Sequence, residues 1–247
     1  INRKIIKDKM RKKILKLKQH GLKVIAISGS YGKTSVKEYL YQILKTKYKV
    51  LRTPGNFNTL LGIAKVVEWE LDATYDYFIC EMGSYKIGET QELCETYLPD
   101  FAILTGINEQ HLDRFGSLEN EIIGESESVE YVLSRGGQVV LNFGNPNISQ
   151  KYLSNLSNPK ILGYGSGTYA HPREQNLEGA IKMAGILGVL KPPKLLKNPS
   201  HRLSLIHRGD LTIIDDAYSS NTDGFAAAVK YLKTFSGWNA IVTPGIP

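Results

Sequence analysis

The chain has only two cysteines and no long apolar run, and both absences narrow what it can be. Cys80 and Cys94 are too few for a disulfide framework and fit a reducing compartment. A membrane-spanning helix needs about 20 consecutive apolar residues, and the sequence offers neither such a run nor the pattern of a secretory signal. Internal repeats and low-complexity tracts are missing as well, which excludes repeat architectures. We therefore expect a globular cytoplasmic protein, either free or held at the inner face of the membrane.

Positive charge is concentrated at the start of the chain. The 247 residues carry a net charge of +7, but residues 1–23 hold ten Lys or Arg and one acid, a net +9, so the remainder sums to −2. Apolar residues recur through this segment at near-helical spacing: Ile5, Ile6, Met10, Ile14 and Leu17. The pattern predicts a basic amphipathic helix over residues 1–22, which packs on the rest of the protein, lies on an anionic membrane surface or follows a membrane segment. Nucleic acid is not an expected partner, because no aromatic interleaving or known recognition motif accompanies the charge.

Strands and helices alternate after residue 23. Predicted strands occupy residues 24–28, 48–52, 75–80, 101–105 and 139–141, and predicted helices occupy residues 33–47, 88–97 and 118–134. This alternation predicts an α/β fold with a mostly parallel sheet and helices on both faces. Ligands of such sheets bind beyond the carboxyl ends of the strands.

A proline-rich connection at residues 191–201 predicts a domain boundary. We expect one domain over residues 23–198 and the beginning of a second α/β domain over residues 199–247. In the second unit, strands at 211–214 and 239–242 are predicted to flank a helix at 222–235. The chain ends before this unit could close a stable sheet.

The run from Ser28 to Ser35, Ser-Gly-Ser-Tyr-Gly-Lys-Thr-Ser, follows the first predicted strand and opens a helix. Backbone N–H groups of such a turn converge on one point, where the helix N-terminus adds partial positive charge, so the turn predicts a phosphate-binding loop. Lys33 would neutralise the β- and γ-phosphates, and the Thr34 hydroxyl would ligate Mg²⁺. The spacing is shorter than the general Gly-x-x-x-x-Gly-Lys-Ser/Thr pattern, because Ile27 stands where that pattern has its first glycine. An ordinary strand–turn–helix would leave the Gly-Lys-Thr run unexplained.

Three more polar clusters follow predicted strands. Glu81 begins Glu-Met-Gly, His111 lies within the run from Asn108 to Ser117, and Asp215 begins Asp-Asp-Ala-Tyr. A strand-terminal carboxylate can complete a Mg²⁺ shell that a hydroxyl and phosphate oxygens begin. Each cluster is weak alone, since a strand-terminal glutamate is more often solvated and a loop histidine usually binds nothing.

Taken in order, and with Thr-Pro-Gly-Asn-Phe-Asn-Thr at residues 53–59, these motifs resemble the Mur ligase family of ATP-dependent, amide-forming enzymes of peptidoglycan precursor synthesis. The resemblance runs from Val24 to the C-terminus. It is closest to the branch that joins D-alanyl-D-alanine to a UDP-muramoyl peptide through an acyl phosphate. It implies a P-loop-type central domain, a Rossmann-like C-terminal domain and a monomer that serves cell-wall synthesis, cell shape and division. Folylpolyglutamate and cyanophycin synthetases share the phosphate loop and stay open as alternatives, as does a nucleotide-binding scaffold without catalysis.

The resemblance also implies a site that uses ATP and Mg²⁺. The catalytic residues it implies are Lys33, His111 and Glu125. The metal ligands are Thr34 and Glu81 for one Mg²⁺, and His111 and Glu125 for a second. The nucleotide contacts are Gly29, Ser30, Tyr31, Gly32, Lys33, Thr34, Ser35, Asn176, Arg202 and Asp216. The contacts to the muramoyl peptide are Thr53, Asn56, Asn58 and Thr59.

The sequence departs from the family pattern in four places. Glu125 stands where the family has a carbamoylated lysine, so it either supplies the carboxylate directly or is a plain surface acid. Gly179 stands where the family has an asparagine that contacts adenine. Only residues 166–174 separate two segments that several dozen residues separate in the family. The C-terminal domain is mostly absent, which predicts that this chain alone does not complete the reaction.

Overall fold

Six parallel strands form the central sheet of the protein. The computed structural model describes residues 2–109, 112–155, 157–169, 172–198, 204–216 and 222–242. The strands are β1 (Lys23–Ser28), β2 (Val50–Arg52), β3 (Tyr77–Glu81), β4 (Phe101–Leu104), β5 (Gln138–Asn142) and β6 (Ile161–Tyr164). They lie in the order β2-β3-β1-β4-β5-β6, and every neighbouring pair is parallel.

Helices cover both faces of this sheet. Their bounds are α1 (Arg3–Gln19), α2 (Lys33–Leu44), α3 (Leu60–Trp69), α4 (Glu89–Tyr97), α5 (Leu112–Phe115), α6 (Leu118–Ser134), α7 (Pro146–Tyr152) and α8 (Pro172–Ile186). Apolar residues of α2 and α8 form the core on one face, and those of α1, α3, α4, α6 and α7 form the core on the other. The predicted α/β architecture with a parallel sheet is therefore confirmed.

Residues 24–27 of the central strand β1 are all apolar because both faces of the strand are buried. Val24 and Ala26 belong to one core, while Ile25 and Ile27 belong to the other, because successive side chains of a strand point to opposite faces. A parallel strand that is covered on both sides therefore has no polar face. Ile27 pairs with Glu81 at the end of β3. The register brings the polar ends of neighbouring strands to one edge.

The basic N-terminal segment forms α1 and packs on the rest of the protein. Met10, Ile14 and Leu17 are buried in the core that α3 and α4 share. Its basic side chains pair with carboxylates of the body, in the pairs Arg3–Glu92, Lys7–Glu92, Lys9–Glu68 and Lys18–Asp100. The buried apolar side chains and the ion pairs both hold α1 on the rest of the protein, which agrees with the first of its three predicted roles. Within the described ranges, no helix has the length and apolar character that crossing a bilayer requires.

The C-terminal part contains an antiparallel hairpin of β7 (Ser204–Arg208) and β8 (Leu211–Asp215), followed by α9 (Thr222–Leu232). The predicted strand at 211–214 and the predicted helix at 222–235 correspond to β8 and α9. The predicted strand at 239–242 is wrong: these residues are irregular and exposed, and Val242 is 98% exposed. A strand needs a partner for its backbone groups, and no described strand pairs with this segment.

Candidate functional site

The turn between β1 and α2 needs glycine at two positions. Gly29 has φ of +127° and Gly32 has φ of +85°, in the region that side chains disfavour. A Cβ atom on Gly29 would lie 2.4 Å from Thr105 Oγ1, and one on Gly32 would lie 2.8 Å from Asn176 Oδ1. The loop therefore sits directly against the end of β4 and against α8, and the sequence-predicted residue Asn176 lies beside it.

Lys33, the first residue of α2, folds its side chain back over this turn. Its ammonium donates hydrogen bonds to the carbonyl oxygens of Gly29 and Ser30, the second at 3.1 Å. The charge thus lies at the N-terminus of α2, where the helix dipole is also positive. A phosphate group at the loop would meet both.

Glu81, at the end of β3, is the polar centre on one side of the loop. It is 2% exposed, and its Oε2 accepts hydrogen bonds from Thr34 Oγ1 at 3.2 Å and from Lys37 Nζ at 2.8 Å. Its Oε1 accepts one from Asn58 Nδ2 at 3.3 Å. The sequence-predicted residues Thr34 and Glu81 are thus brought together. Lys37 was missed, although its spacing of four from Lys33 places both lysines on one helix face.

Helix α6 lies along the other side of the loop and contacts three consecutive loop residues. Ser28 Oγ and Ser128 Oγ are 2.7 Å apart, the N–H of Gly29 donates to Glu125 Oε2 at 2.7 Å, and Ser30 Oγ donates to Glu121 Oε1 at 2.6 Å. We call these contacts the α6 ladder. Its rungs lie four and three residues apart on α6, the spacing of one helix face. Sequence reasoning missed Glu121 and Ser128.

The position of Glu125 rules out a plain surface acid, because its side chain is fully buried. Burial raises the pKa of Glu125, while the Lys33 charge and the Gly29 N–H act in the opposite direction. Its second oxygen, Oε1, has no hydrogen-bond partner among the described residues. A buried carboxylate oxygen without a donor is costly, so this atom is suited to a cation or donor that arrives with a ligand.

In the predicted substrate loop at residues 53–59, some side chains form hydrogen bonds that hold the fold, and others are free to contact a substrate. Thr53 is fully buried and accepts a hydrogen bond from the N–H of Glu81 at 3.1 Å. Thr59 caps α3 by accepting from the N–H of Gly62 at 3.3 Å. Asn58 faces Glu81, and Asn56 is exposed. Direct contact with a substrate is therefore open to the two asparagines, whereas burial speaks against it for Thr53.

The remaining sequence-predicted site residues lie in the phosphate loop, on α2, after β8 or outside the described residues. Tyr31 lies over Gly106, where a Cβ atom would approach its ring to 2.3 Å, and its hydroxyl accepts a hydrogen bond from Asn145 Nδ2 at 3.1 Å. Ser35 is buried in the first turn of α2. Asp216 directly follows β8. His111 and Arg202 lie outside the described residues.

Gly179 has a packing reason for departing from the family pattern. It is buried on α8, and a Cβ atom there would lie 2.8 Å from Tyr164 Cζ. The buried Tyr164 ring thus occupies the space that an asparagine side chain would need.

The donor set suits a magnesium ion that a nucleotide brings with it. In the described part of the chain, no three His, Cys, Asp or Glu side chains group into a metal cluster. Mg²⁺ commonly takes one or two protein oxygens and completes its shell with phosphate oxygens and water. The adjacent Thr34 hydroxyl and Glu81 carboxylate fit that requirement.

A parallel sheet whose central strand leads through a two-glycine turn into a Lys-Thr helix defines a phosphate-binding α/β protein. The sequence profile of the Mur ligase middle domain matches residues 27–183. The chain belongs to the Mur ligase family, as its motifs indicated.

Known relatives agree with this assignment. The chain is 26% identical over 259 residues to the UDP-N-acetylmuramoyl-tripeptide–D-alanyl-D-alanine ligase of Bacillus subtilis, covering 90% of this chain and 55% of that protein. Its fold matches MurF from Acinetobacter baumannii with a TM-score of 0.82 and 24% identity, covering 95% of this chain and 59% of the other. It also matches MurF from Thermotoga maritima in complex with ADP, with a TM-score of 0.79 and 22% identity, over 94% and 62%. The chain spans about half the length of the curated relatives it matches.

Proposed function

We propose that the protein is the ATP-dependent core of a ligase that joins D-alanyl-D-alanine to a UDP-muramoyl tripeptide. The observation that carries the proposal is the two-glycine loop with the Lys33 ammonium folded over it, beside the paired side chains of Thr34 and Glu81. Membership of the Mur ligase family and the named activity of the Bacillus subtilis relative support it. The ADP complex of the Thermotoga maritima protein, which shares the fold, supports the nucleotide at this site.

The proposed reaction has two transfers. A carboxylate oxygen of the muramoyl peptide attacks the γ-phosphorus of ATP, ADP leaves, and an acyl phosphate forms. The amine of D-alanyl-D-alanine then attacks the acyl carbon, phosphate leaves and the amine loses a proton, which gives the amide. The N–H groups of residues 32–35, at the start of α2, would bind the phosphates, since those of residues 29–31 donate to Glu125 and Gly106. Lys33 would neutralise charge on the transferred group.

Two cation positions complete the proposal. Thr34 and Glu81 would hold one Mg²⁺, and Glu125 would serve a second together with His111. Bound Mg²⁺ would neutralise charge on the phosphoryl group during transfer. The buried Oε1 of Glu125, which has no hydrogen-bond partner among the described residues, supports this role, because that oxygen is available to a cation. The Glu125 carboxylate would then stand in for the family's carbamate.

The ends of the substrates are assigned from the surrounding side chains. Asn176, beside Gly32, is proposed to lie near the nucleoside together with Asp216, and Arg202 near the phosphates. Asn56 and Asn58 are proposed to face the muramoyl peptide. The packing of Gly179 on Tyr164 supports a base contact that differs from the family's.

Contact with a membrane is a separate part of the proposal. Lys4, Lys12 and Lys16 are exposed on the outer side of α1, where they would meet anionic headgroups. Co-sedimentation with vesicles containing anionic lipid, compared with a Lys4, Lys12 and Lys16 triple glutamine variant, tests it. Equal binding by the two proteins would contradict it.

The activity is tested by ADP release from the full-length protein with Mg-ATP, UDP-muramoyl tripeptide and D-alanyl-D-alanine. We expect ADP release that requires both UDP-muramoyl tripeptide and D-alanyl-D-alanine. A glutamyl acceptor supplied in parallel distinguishes the folylpolyglutamate type of ligase. Nucleotide binding without turnover under every substrate combination would overturn the ligase and favour a scaffold.

A further inference from the structure

Helix α2 carries Lys37 in addition to Lys33, and the Lys37 side chain is inaccessible to solvent. Lys37 is 0% exposed, although lysine is rarely fully buried unless it is paired. Its ammonium donates a 2.8 Å hydrogen bond to Glu81 Oε2 and a 2.5 Å hydrogen bond to the carbonyl oxygen of Gly55. The charge is therefore matched, and the ammonium touches two segments outside its own helix.

Stability alone is a weak reason for such a pair. Removing two charges from water costs several kcal/mol per ion, and well-packed apolar residues often serve a core equally well. The position of the pair points to another role. Lys37 lies on the helix that begins at the phosphate loop, Glu81 ends the neighbouring strand, and Gly55 belongs to the 53–59 loop.

The hydrogen bonds join these segments into one network. Glu81 Oε2 accepts hydrogen bonds from both Thr34 and Lys37. Lys37 therefore fixes the orientation of the Glu81 carboxylate beside the phosphate loop. Glu81 Oε1 accepts from Asn58, and Gly83 N–H donates to the Asn58 carbonyl oxygen at 2.9 Å. Movement of the 53–59 loop would therefore disturb Glu81, and movement of Glu81 would disturb the loop.

We infer that Lys37 is a positioning residue that couples the nucleotide side of the site to the muramoyl-peptide side. It contacts neither substrate, and it acts by holding Glu81 and Gly55 in one arrangement. The inference rests on the proposed function. The coupling is reciprocal: binding of either ligand should raise the affinity of the protein for the other. This effect should depend on the Lys37 contacts.

The test measures coupling directly. The dissociation constant of a non-hydrolysable Mg-ATP analogue is determined with and without UDP-muramoyl tripeptide, on the full-length protein and on Lys37→Met, Lys37→Arg and Lys45→Met. Lys45 is the matched control because it is exposed at the end of the same helix. We expect the peptide to tighten nucleotide binding about fivefold or more in the wild type and in Lys45→Met, within the usual range of such effects.

The Lys37 variants should lose most of this coupling, to below about twofold, while still binding the nucleotide. Lys37→Arg keeps the charge on which Glu81 depends, so it decides the matter if Lys37→Met does not fold. The planar guanidinium of arginine is larger than the compact lysine ammonium, so it cannot occupy the same position between Glu81 and Gly55.

A folded Lys37 variant with wild-type coupling would overturn the inference, and so would a wild type whose nucleotide affinity ignores the peptide. A wild type that binds no UDP-muramoyl tripeptide would instead refute the proposed function, and a direct titration of the peptide into the wild-type protein saturated with the nucleotide analogue separates that outcome from a loss of coupling.

Discussion

The backbone N–H of Gly29 donates a 2.7 Å hydrogen bond to Oε2 of Glu125, 96 residues further along the chain. This contact is the middle rung of the α6 ladder, between those of Ser28 and Ser30. The ladder fixes the first half of the phosphate loop to a helix rather than leaving it to the turn alone. One carboxylate oxygen thus holds the loop, while the other is buried without a partner in the described structure.

Replacement of Glu125 by glutamine separates its two roles. The amide keeps an oxygen for the Gly29 N–H and nearly the same shape, but it loses the charge that a cation needs. We expect kcat/KM for ADP release to fall about 100-fold or more, with a higher Mg²⁺ concentration needed for half-maximal rate. Glu119→Gln, an exposed position on the same helix, should leave both values unchanged. Turnover close to that of the wild type in Glu125→Gln would discard the metal assignment.

Lys33→Met should abolish most turnover while the protein stays folded. The ammonium of Lys33 contacts carbonyl oxygens of its own loop, so its loss removes charge from the phosphate site more than it removes packing. We expect ADP release to slow by roughly 100- to 1,000-fold, measured beside thermal unfolding. Lys65→Met, on the exposed side of α3, is the control. A Lys33→Met protein that turns over normally would place the phosphates elsewhere.

The long periodic elements could be predicted from the sequence because local patterns determine them. Helix α6 was expected at 118–134 and occupies those residues, the helix after the phosphate loop begins at Lys33 as expected, and the preceding strand begins one residue before the expected position. Helix α3 was not assigned, because its run of leucine, isoleucine and valine is equally compatible with a buried strand. The segment at 239–242 has the composition of a strand but lacks the neighbour that makes one.

Local pattern could not reveal contacts across the fold. Glu121 and Glu125 lie four residues apart on a helix, which in a sequence indicates a solvated face as readily as a buried one. Only the packing of α6 on the loop decides between them. For β7, a signal was present: the two-residue turn Gly209-Asp210 between apolar runs is typical of a hairpin.

Two glycines on α8 provide a matched test of packing. A Cβ atom on Gly179 would lie 2.8 Å from the ring of Tyr164, whereas one on Gly185 would meet nothing within 4 Å. Gly185→Ala should raise the free energy of unfolding by about 0.5–1 kcal/mol, the usual gain for alanine in a helix. Gly179→Ala should lower it by about 1–3 kcal/mol, because the buried ring must move. Denaturant unfolding of the two variants checks the contrast, and equal effects would contradict it.

The attachment of α1 should depend on pH through Glu92. Its hydrogen bond with Arg3, assisted by Lys7, lowers the pKa of Glu92, so the contribution of these pairs is complete above the unfolded-state pKa of about 4.3. It is lost as the pH falls below that value toward the lower folded-state pKa.

At pH 7, Glu92→Gln should therefore make amide hydrogen exchange of α1 about two- to fivefold faster than in the wild type, the range for a partly shielded ion pair. The difference should shrink once the pH is low enough to protonate Glu92 in the wild type. Glu70→Gln, exposed just after α3, should have no effect at either pH. An α1 whose exchange is the same in Glu92→Gln and the wild type at pH 7 would mean that the buried Met10, Ile14 and Leu17 alone hold the helix.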